Sequence, residues 1–302
     1  MLAYHMGWEG ENAIPNASGK RIRPLLVVLT TGSAGGNWRD VVPAAAAVEL
    51  VHNFSLIHDD IEDNSPLRRG RPTVWKRWGI AQAINSGDSM LTLANIAVLR
   101  LSETTSSEIS NQAAAILQDA CLHLTQGQYL DLSYETRPEI TIDEYWRMIR
   151  GKTAALIGTC TELGALVAQT SGSARKSYRD FGVYLGLAFQ VQDDLLGVWG
   201  DVETTGKSVD SDLVAGKKSL PVVHALNQDG PFAERWKQGG ITKAEVPHLA
   251  GLLEDEGTRS YTQERAAHYT QKALDSLDEA GPSGEFGDAL VELAEQLLNR
   301  SN

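Results

Sequence analysis

Asn53-Phe54-Ser55-Leu56-Ile57-His58-Asp59-Asp60-Ile61-Glu62-Asp63, followed closely by Arg68-Arg69-Gly70-Arg71-Pro72, is the stretch whose reading decides the fold. The run before the aspartates, Pro43 to Ile57, has helical periodicity and is apolar enough to be buried. It ends in four carboxylates within five residues. Like charges at i,i+4, here Asp59 and Asp63, destabilise an isolated helix, and an unpaired buried anion is costly. A counter-charge is needed. The arginine pair behind the stretch is one candidate. Divalent metal is the other, because Asp59 and Asp63 on one face offer the hard oxygen ligands that Mg²⁺ prefers. Taken alone, the stretch reads equally well as a solvated helix end before the turn at Ser65-Pro66.

A second stretch changes the balance. Phe189-Gln190-Val191-Gln192-Asp193-Asp194-Leu195-Leu196-Gly197 closes another apolar helical run, Phe181 to Leu196, with paired aspartates. Gly200-Asp201, Thr205-Gly206-Lys207 and Asp212 follow it. Two buried helices that end in aspartates, each with basic residues downstream, imply one cavity whose acidic walls face each other.

These residues resemble a family, the trans-isoprenyl diphosphate synthases (polyprenyl synthetases). Asp59-Asp60-Ile61-Glu62-Asp63 is similar to its first aspartate-rich motif and Phe189 to Asp194 to its second. Gly19-Lys20-Arg21-Ile22-Arg23-Pro24 and Gly151-Lys152-Thr153 match two further motifs in the family's order. The resemblance runs from Gly19 to about Pro221. One departure stands out: Gly197 occupies the place of a third aspartate in the second motif, a loss that Asp201 or Asp212 is positioned in sequence to offset.

The resemblance implies a prenyltransferase that ionises an allylic diphosphate and lets isopentenyl diphosphate attack the carbocation. Asp59, Asp60 and Asp63, with Asp193 and Asp194, are then the candidate metal ligands, for three Mg²⁺ ions. Arg68, Lys152 and Lys207 would hold the leaving diphosphate. Lys20, Arg23, His52 and Arg69 would hold isopentenyl diphosphate. The oxygens of Thr153 and Gln190 would stabilise the cation. It also implies a homodimer, for which the apolar runs Ile80 to Leu101 and Ile109 to Leu124 are candidates.

The pattern along the chain is helical throughout. Gly19 to Thr30 starts basic and turns apolar, with Pro24 acceptable in a first helical turn. Ile80 to Leu101, Ile109 to Tyr134 and Ile142 to Gln169 read as three long helices. Lys217 to Leu226, Lys243 to Asp255, Arg259 to Asp278 and Phe286 to Leu298 complete the set. Strand-like alternation is absent. The expected fold is therefore all-α, a single bundle around a deep central cavity, and with no linker or repeat the 302 residues are expected to form one domain.

The formal charge of −12 argues against nucleic acid as a partner. No apolar run is long enough to span a bilayer, and Met1 to Gly10 lack the basic head and apolar core of a signal peptide. Two cysteines, Cys121 and Cys160, lie in apolar helical contexts and read as buried thiols of a reducing, cytoplasmic compartment. Lys152 lies within an apolar run, where a lysine usually snorkels to the surface; the resemblance instead turns it toward phosphate. Gln126 and Asp131 read as structural.

Product length should follow the depth of the apolar cavity below the metals. Ser55 is one turn from Asp59 and within about 40° of it on the helical wheel, whereas Phe54 is about 140° away. His52 shares the Ser55 and Asp59 face. In family terms, a phenylalanine at 54 without an aromatic at 55 resembles producers of geranylgeranyl (C20) diphosphate of the archaeal kind. Two rival readings were weighed. A class I terpene cyclase shares the first motif, but it has no use for a second basic grip. A non-catalytic partner subunit would be expected to lose motif aspartates, and here only Gly197 points that way.

Overall fold

In the computed structural model, residues 1–9, 20–200 and 211–298 are described. The helices are α1 (Leu2–His5), α2 (Ile22–Ser33), α3 (Val42–Glu62), α4 (Val74–Trp78), α5 (Ile80–Leu99), α6 (Ser107–Glu135), α7 (Ile142–Ile149), α8 (Ala155–Val167) and α9 (Gly172–Trp199). They continue with α10 (Ser211–Val214), α11 (Leu220–Leu226), α12 (Pro231–Trp236), α13 (Val246–Asp255), α14 (Thr258–Ala280) and α15 (Gly284–Leu298). Among the described residues the only strands are β1 (Leu67–Arg68) and β2 (Arg71–Pro72), paired antiparallel with Leu67 opposite Pro72. The fold is all-α, as the periodicity implies.

Local chemistry explains where these helices begin and stop. α3 opens with Pro43 in its first turn and a run of alanines, the best intrinsic helix formers. It runs on to Glu62, so Asp59 and Asp60 of the first motif lie within its last turn and Asp63 is its C-cap. α9 likewise continues past the second motif to Trp199. α7 starts on a capping box, in which Thr141 and Glu144 each bond the other's backbone N–H. The long helix expected over 142–169 is broken by a π-helical turn, Arg150–Ala154, between α7 and α8.

The described residues fall into two compact units. The first contains those of Met1–Cys121, Thr159–Arg175 and Gly281–Leu290. Its core includes Leu26, Val48, Val51, Ile57, Met90 and Val98, all essentially sealed from water. Each such side chain contributes about 1.5–3 kcal/mol by burial. Close approach within this unit depends on glycine. A Cβ on Gly164 would sit 2.7 Å from the Val27 carbonyl oxygen of α2, and the Thr31 hydroxyl bridges that carbonyl and the one at Gly164.

The second unit contains the described residues of Leu122–Gly158, Lys176–Ala280 and Val291–Asn302. Tyr134, Tyr145, Ile149, Leu187, Val191, Leu220 and Val223 share one core cluster, and Val198, Leu213, Val222, Phe232, Leu249 and Leu253 another. Two glycines admit the π turn to this packing. A Cβ on Gly127 would collide with the backbone nitrogen of Lys152, and one on Gly186 would lie 2.7 Å from the Cα of Ala154. Cys121 and Cys160 are both buried and neither is in a disulfide, and burial pushes their thiols up to about 11 and about 12. Among the described residues no helix is long and apolar enough to cross a membrane.

Candidate active site

The rotation of α3 divides its residues between two faces. Asn53, Phe54, Ile57 and Asp60 are buried, while His52, Ser55, Leu56 and Asp59 are half exposed. His52, Ser55 and Asp59 thus share one face, and the Ser55 hydroxyl donates back to the His52 carbonyl at 2.8 Å. Phe54 lies on the other face with its ring edge-on to His58, 5.7 Å between centroids.

The two adjacent aspartates of the first motif consequently differ. Asp60 is 1% exposed and accepts from Nε of Arg68 at 2.8 Å, while its Oδ2 has no hydrogen-bond partner among the described residues. Burial pushes its carboxyl up to about 6, against the pull of Arg68. Asp60 is therefore an internal counter-ion to Arg68. Asp59 is partly exposed, 3.4 Å from the same guanidinium, and Asp63 caps the helix in the open.

The basic residues collect in the same unit. Arg69 is at the tip of the β1–β2 turn with φ of 52°, followed by Gly70 at 73°. Arg23 is half-buried, and its buried Nε has no hydrogen-bond partner among the described residues. Burial and then Arg23, Arg69 and Arg68 hold the His52 imidazole well below its ordinary value. Burial also lowers Arg23 and Arg69, with Glu49 the carboxylate in range of both. Arg23, His52, Arg68 and Arg69 thus feel one another, as an anion-binding cluster requires. Lys20 is exposed just ahead of α2.

In the second unit the second motif is also split. Asp193 is exposed. Asp194 is 5% exposed and accepts from the Tyr145 hydroxyl at 2.6 Å, the Leu220 amide at 2.7 Å and the Gln190 side chain at 2.9 Å. These three donors tie α7, α9 and α11 together around Asp194. Burial raises its carboxyl to about 7. The network extends through Gln190, which accepts from the Thr153 hydroxyl at 2.8 Å. Thr153 and Gln190 are therefore brought together. Lys152 neither snorkels freely nor sits deep; it is about one-third exposed and ion-paired with Asp131. Lys207 and Asp201 lie outside the described residues, while the carboxylate of Asp212 lies against Gly197.

Among the described residues no three His, Cys, Asp or Glu side chains gather closely enough to hold a metal unaided. Asp59 and Asp63 nevertheless offer two accessible carboxylates one turn apart. Mg²⁺ is commonly held by one or two carboxylates with substrate phosphates and water completing its shell. The donor set fits a metal that arrives with a diphosphate. Sequence reasoning missed Tyr145 and the Leu220 amide. A tyrosine at helical spacing looks like any core aromatic, and a backbone donor leaves no trace in composition.

Comparison with known proteins agrees with this arrangement. Residues 11–245 match the family model described as polyprenyl synthetase. The chain is 40% identical to the geranylgeranyl diphosphate synthase of Mycobacterium tuberculosis over 99% of its own length and 86% of that protein. It is 38% identical to the (2E,6E)-farnesyl diphosphate synthase of Mycobacterium bovis, over 99% and 85%. The crystal structure of a polyprenyl synthetase from Streptomyces coelicolor A3(2) superposes with a TM-score of 0.89 at 38% identity, covering 98% of this chain and 90% of that one.

Proposed function

Given that this chain belongs to the polyprenyl synthetase family and is a trans-prenyltransferase, we propose that it condenses isopentenyl diphosphate with an allylic diphosphate to give geranylgeranyl (C20) diphosphate. We further propose that the whole chain acts as one catalytic domain, since the matched family region draws on both compact units.

The observation that carries the length assignment is Ser55. It is small, half exposed and on the Asp59 face, so a growing apolar chain meets no bulk one turn from the metal ligands. Phe54 is buried on the other face. Relatives of nearly equal similarity carry C20 and C15 names, so similarity alone does not choose between products.

Asp59, Asp63 and Asp193 are assigned as the ligands of three Mg²⁺ ions. When bound, the metal supplies positive charge where the leaving diphosphate gains negative charge. Arg68, pre-set by Asp60, offers its planar guanidinium to the same oxygens. Lys152 and Lys207 add point charges, Lys152 by exchanging Asp131 for phosphate. Lys20, Arg23, His52 and Arg69 hold isopentenyl diphosphate, which makes the attack nearly unimolecular. The Thr153 hydroxyl proton is committed to Gln190, so the oxygen keeps its lone pairs for a nearby carbocation. No side chain is required as the final base, because the released pyrophosphate can accept the proton.

A homodimer is proposed on the strength of exposed apolar side chains. Ile80, Ile84, Leu93, Ile96 and Leu99 of α5 are each more than two-fifths exposed, as are Leu122 and Tyr129 of α6. A cytoplasmic setting is proposed from the two buried thiols, neither of which is in a disulfide. Incubating the purified chain with Mg²⁺, isopentenyl diphosphate and C5, C10 or C15 allylic primers tests the assignment. A product that stops at C15 with every primer would overturn C20, and absence of any condensation would overturn the activity.

A further inference from the structure

The hairpin that carries Arg68 and Arg69 is too small to hold its own shape. Two-residue strands joined by a two-residue turn are marginal in water, and Arg69 adopts a positive φ that is unfavourable for any residue with a Cβ. Contacts beyond the two strands must hold it: Arg68 pairs with Asp60 of α3, Thr73 and Trp75 donate to the Ser65 carbonyl, and the N-terminal arm holds the β2 side. The Tyr4 hydroxyl donates to the Pro72 carbonyl on β2 at 2.9 Å. The Arg71 guanidinium lies 4.0 Å above the Tyr4 ring, with Arg77 at 4.6 Å and the edge of Trp78 at 5.1 Å. Arg71 also donates to the Glu9 carbonyl at 3.3 Å. Tyr4 itself is only 9% exposed.

The arm holds these cations without neutralising them. His5 lines a residual cavity of about 20 Å³ together with Tyr4, Asp60, Arg68, Arg69 and Arg71. Burial, with Arg68 and Arg69, pushes its imidazole down to about 4. It therefore fills space beside the guanidiniums as a neutral group. A carboxylate there would have spent charge intended for substrate.

We propose that Tyr4 is a positioning residue for isopentenyl diphosphate, acting through the β1–β2 hairpin to fix Arg69 where the substrate's diphosphate binds. The inference rests on the reading above that Arg69 contacts that diphosphate. Its effect is selective because the two arginines are anchored differently. Arg68 keeps its contacts to Asp60 and Asp59 even when the hairpin loosens. Arg69, at the turn tip with its positive φ, takes its backbone conformation from the hairpin.

Steady-state kinetics on four variants test this: Tyr4→Phe, Tyr4→Ala, Arg69→Ala and the double variant Tyr4→Ala/Arg69→Ala, with thermal unfolding as the folding control. Tyr4→Ala should raise KM for isopentenyl diphosphate about tenfold, and Tyr4→Phe, which loses only the hydroxyl, about threefold to fivefold. kcat and KM for the allylic primer should stay within about twofold. With Arg69 already removed, Tyr4→Ala should add little, because both act through one group. If Arg69→Ala raises KM and neither Tyr4 variant does, the positioning role is wrong while the site reading stands. Equal KM penalties for Tyr4→Ala with and without Arg69 would also overturn it. If Arg69→Ala leaves KM unchanged, the site reading fails and the inference with it. Should Tyr4→Ala not fold, Tyr4→Phe decides between the same outcomes.

Discussion

The carboxylate of Asp212 lies where a side chain at residue 197 would begin, so any residue but glycine there must push that carboxylate aside. Gly197 stands where related second motifs have a third aspartate. The space that side chain would take is filled instead by a carboxylate arriving from α10.

This pairing predicts a coupled penalty. Gly197→Ala should cost no more than about 1 kcal/mol, because the group the new methyl displaces is the flexible end of the Asp212 side chain. In an Asp212→Ala background the same substitution should cost far less. Urea unfolding of the four proteins in the cycle measures both values, and equal costs would mean that Asp212 is not what excludes a side chain.

The two aspartates of the second motif should separate into different phenotypes. Asp194→Ala strands three donors that are buried or partly so, each worth about 1–3 kcal/mol when left unsatisfied, so it should lower the unfolding temperature severely. Asp193→Ala removes an exposed group and should leave stability within about 0.5 kcal/mol while abolishing turnover. Chelation should likewise stop turnover of the native enzyme, with Mg²⁺ restoring it. A stable, inactive Asp194→Ala together with an unstable Asp193→Ala would reverse the assignment.

The two diphosphate grips should leave distinct kinetic marks. Arg69→Ala should mainly raise KM for isopentenyl diphosphate, as lost binding does. Lys207→Ala should mainly lower kcat, because the charge it meets grows in the transition state. Matching signatures for the two variants would show that these residues do not serve separate substrates.

Much of this was legible before any coordinates. The helical phase of 52–60 placed His52, Ser55 and Asp59 on one face because that phase is a property of spacing alone. Which of two adjacent aspartates turns inward is not. Asp60 is buried because Arg68 meets it there, and Arg68 is presented by strands too short to show alternation. The run 142–169 looked like one helix because a π turn keeps the same apolar composition. The clue was Gly151, but a lone glycine in a helical pattern says only that something comes close. Pro231–Trp236 escaped notice because six residues are too few for a period to show.

Length control gives the riskiest expectation. Ser55→Phe places a ring on the half-exposed face of α3 one turn from Asp59, and overfilling such a site costs about 1–3 kcal/mol, roughly tenfold to hundredfold in partitioning. The main product should shorten to C15 with the first condensation intact. Phe54→Ala should lengthen it only if that buried ring is the floor. Chromatography of the dephosphorylated products decides, and an unchanged C20 product from Ser55→Phe would place the floor on another helix.

The π turn at Arg150–Ala154 amounts to a helix with one residue too many, absorbed locally instead of being passed along. Deleting any one residue there would let α7 and α8 join as a regular helix. Residues beyond would keep their places, because the turn had absorbed the extra one, while those inside it would be re-aimed by up to one helical position. Lys152 and Thr153 would lose Asp131 and Gln190 together, with no side chain in the network altered. Here the number of residues is constrained as tightly as their identity, and lineages descending from this enzyme should tolerate substitutions around Lys152 and Thr153 more readily than a change in length by one.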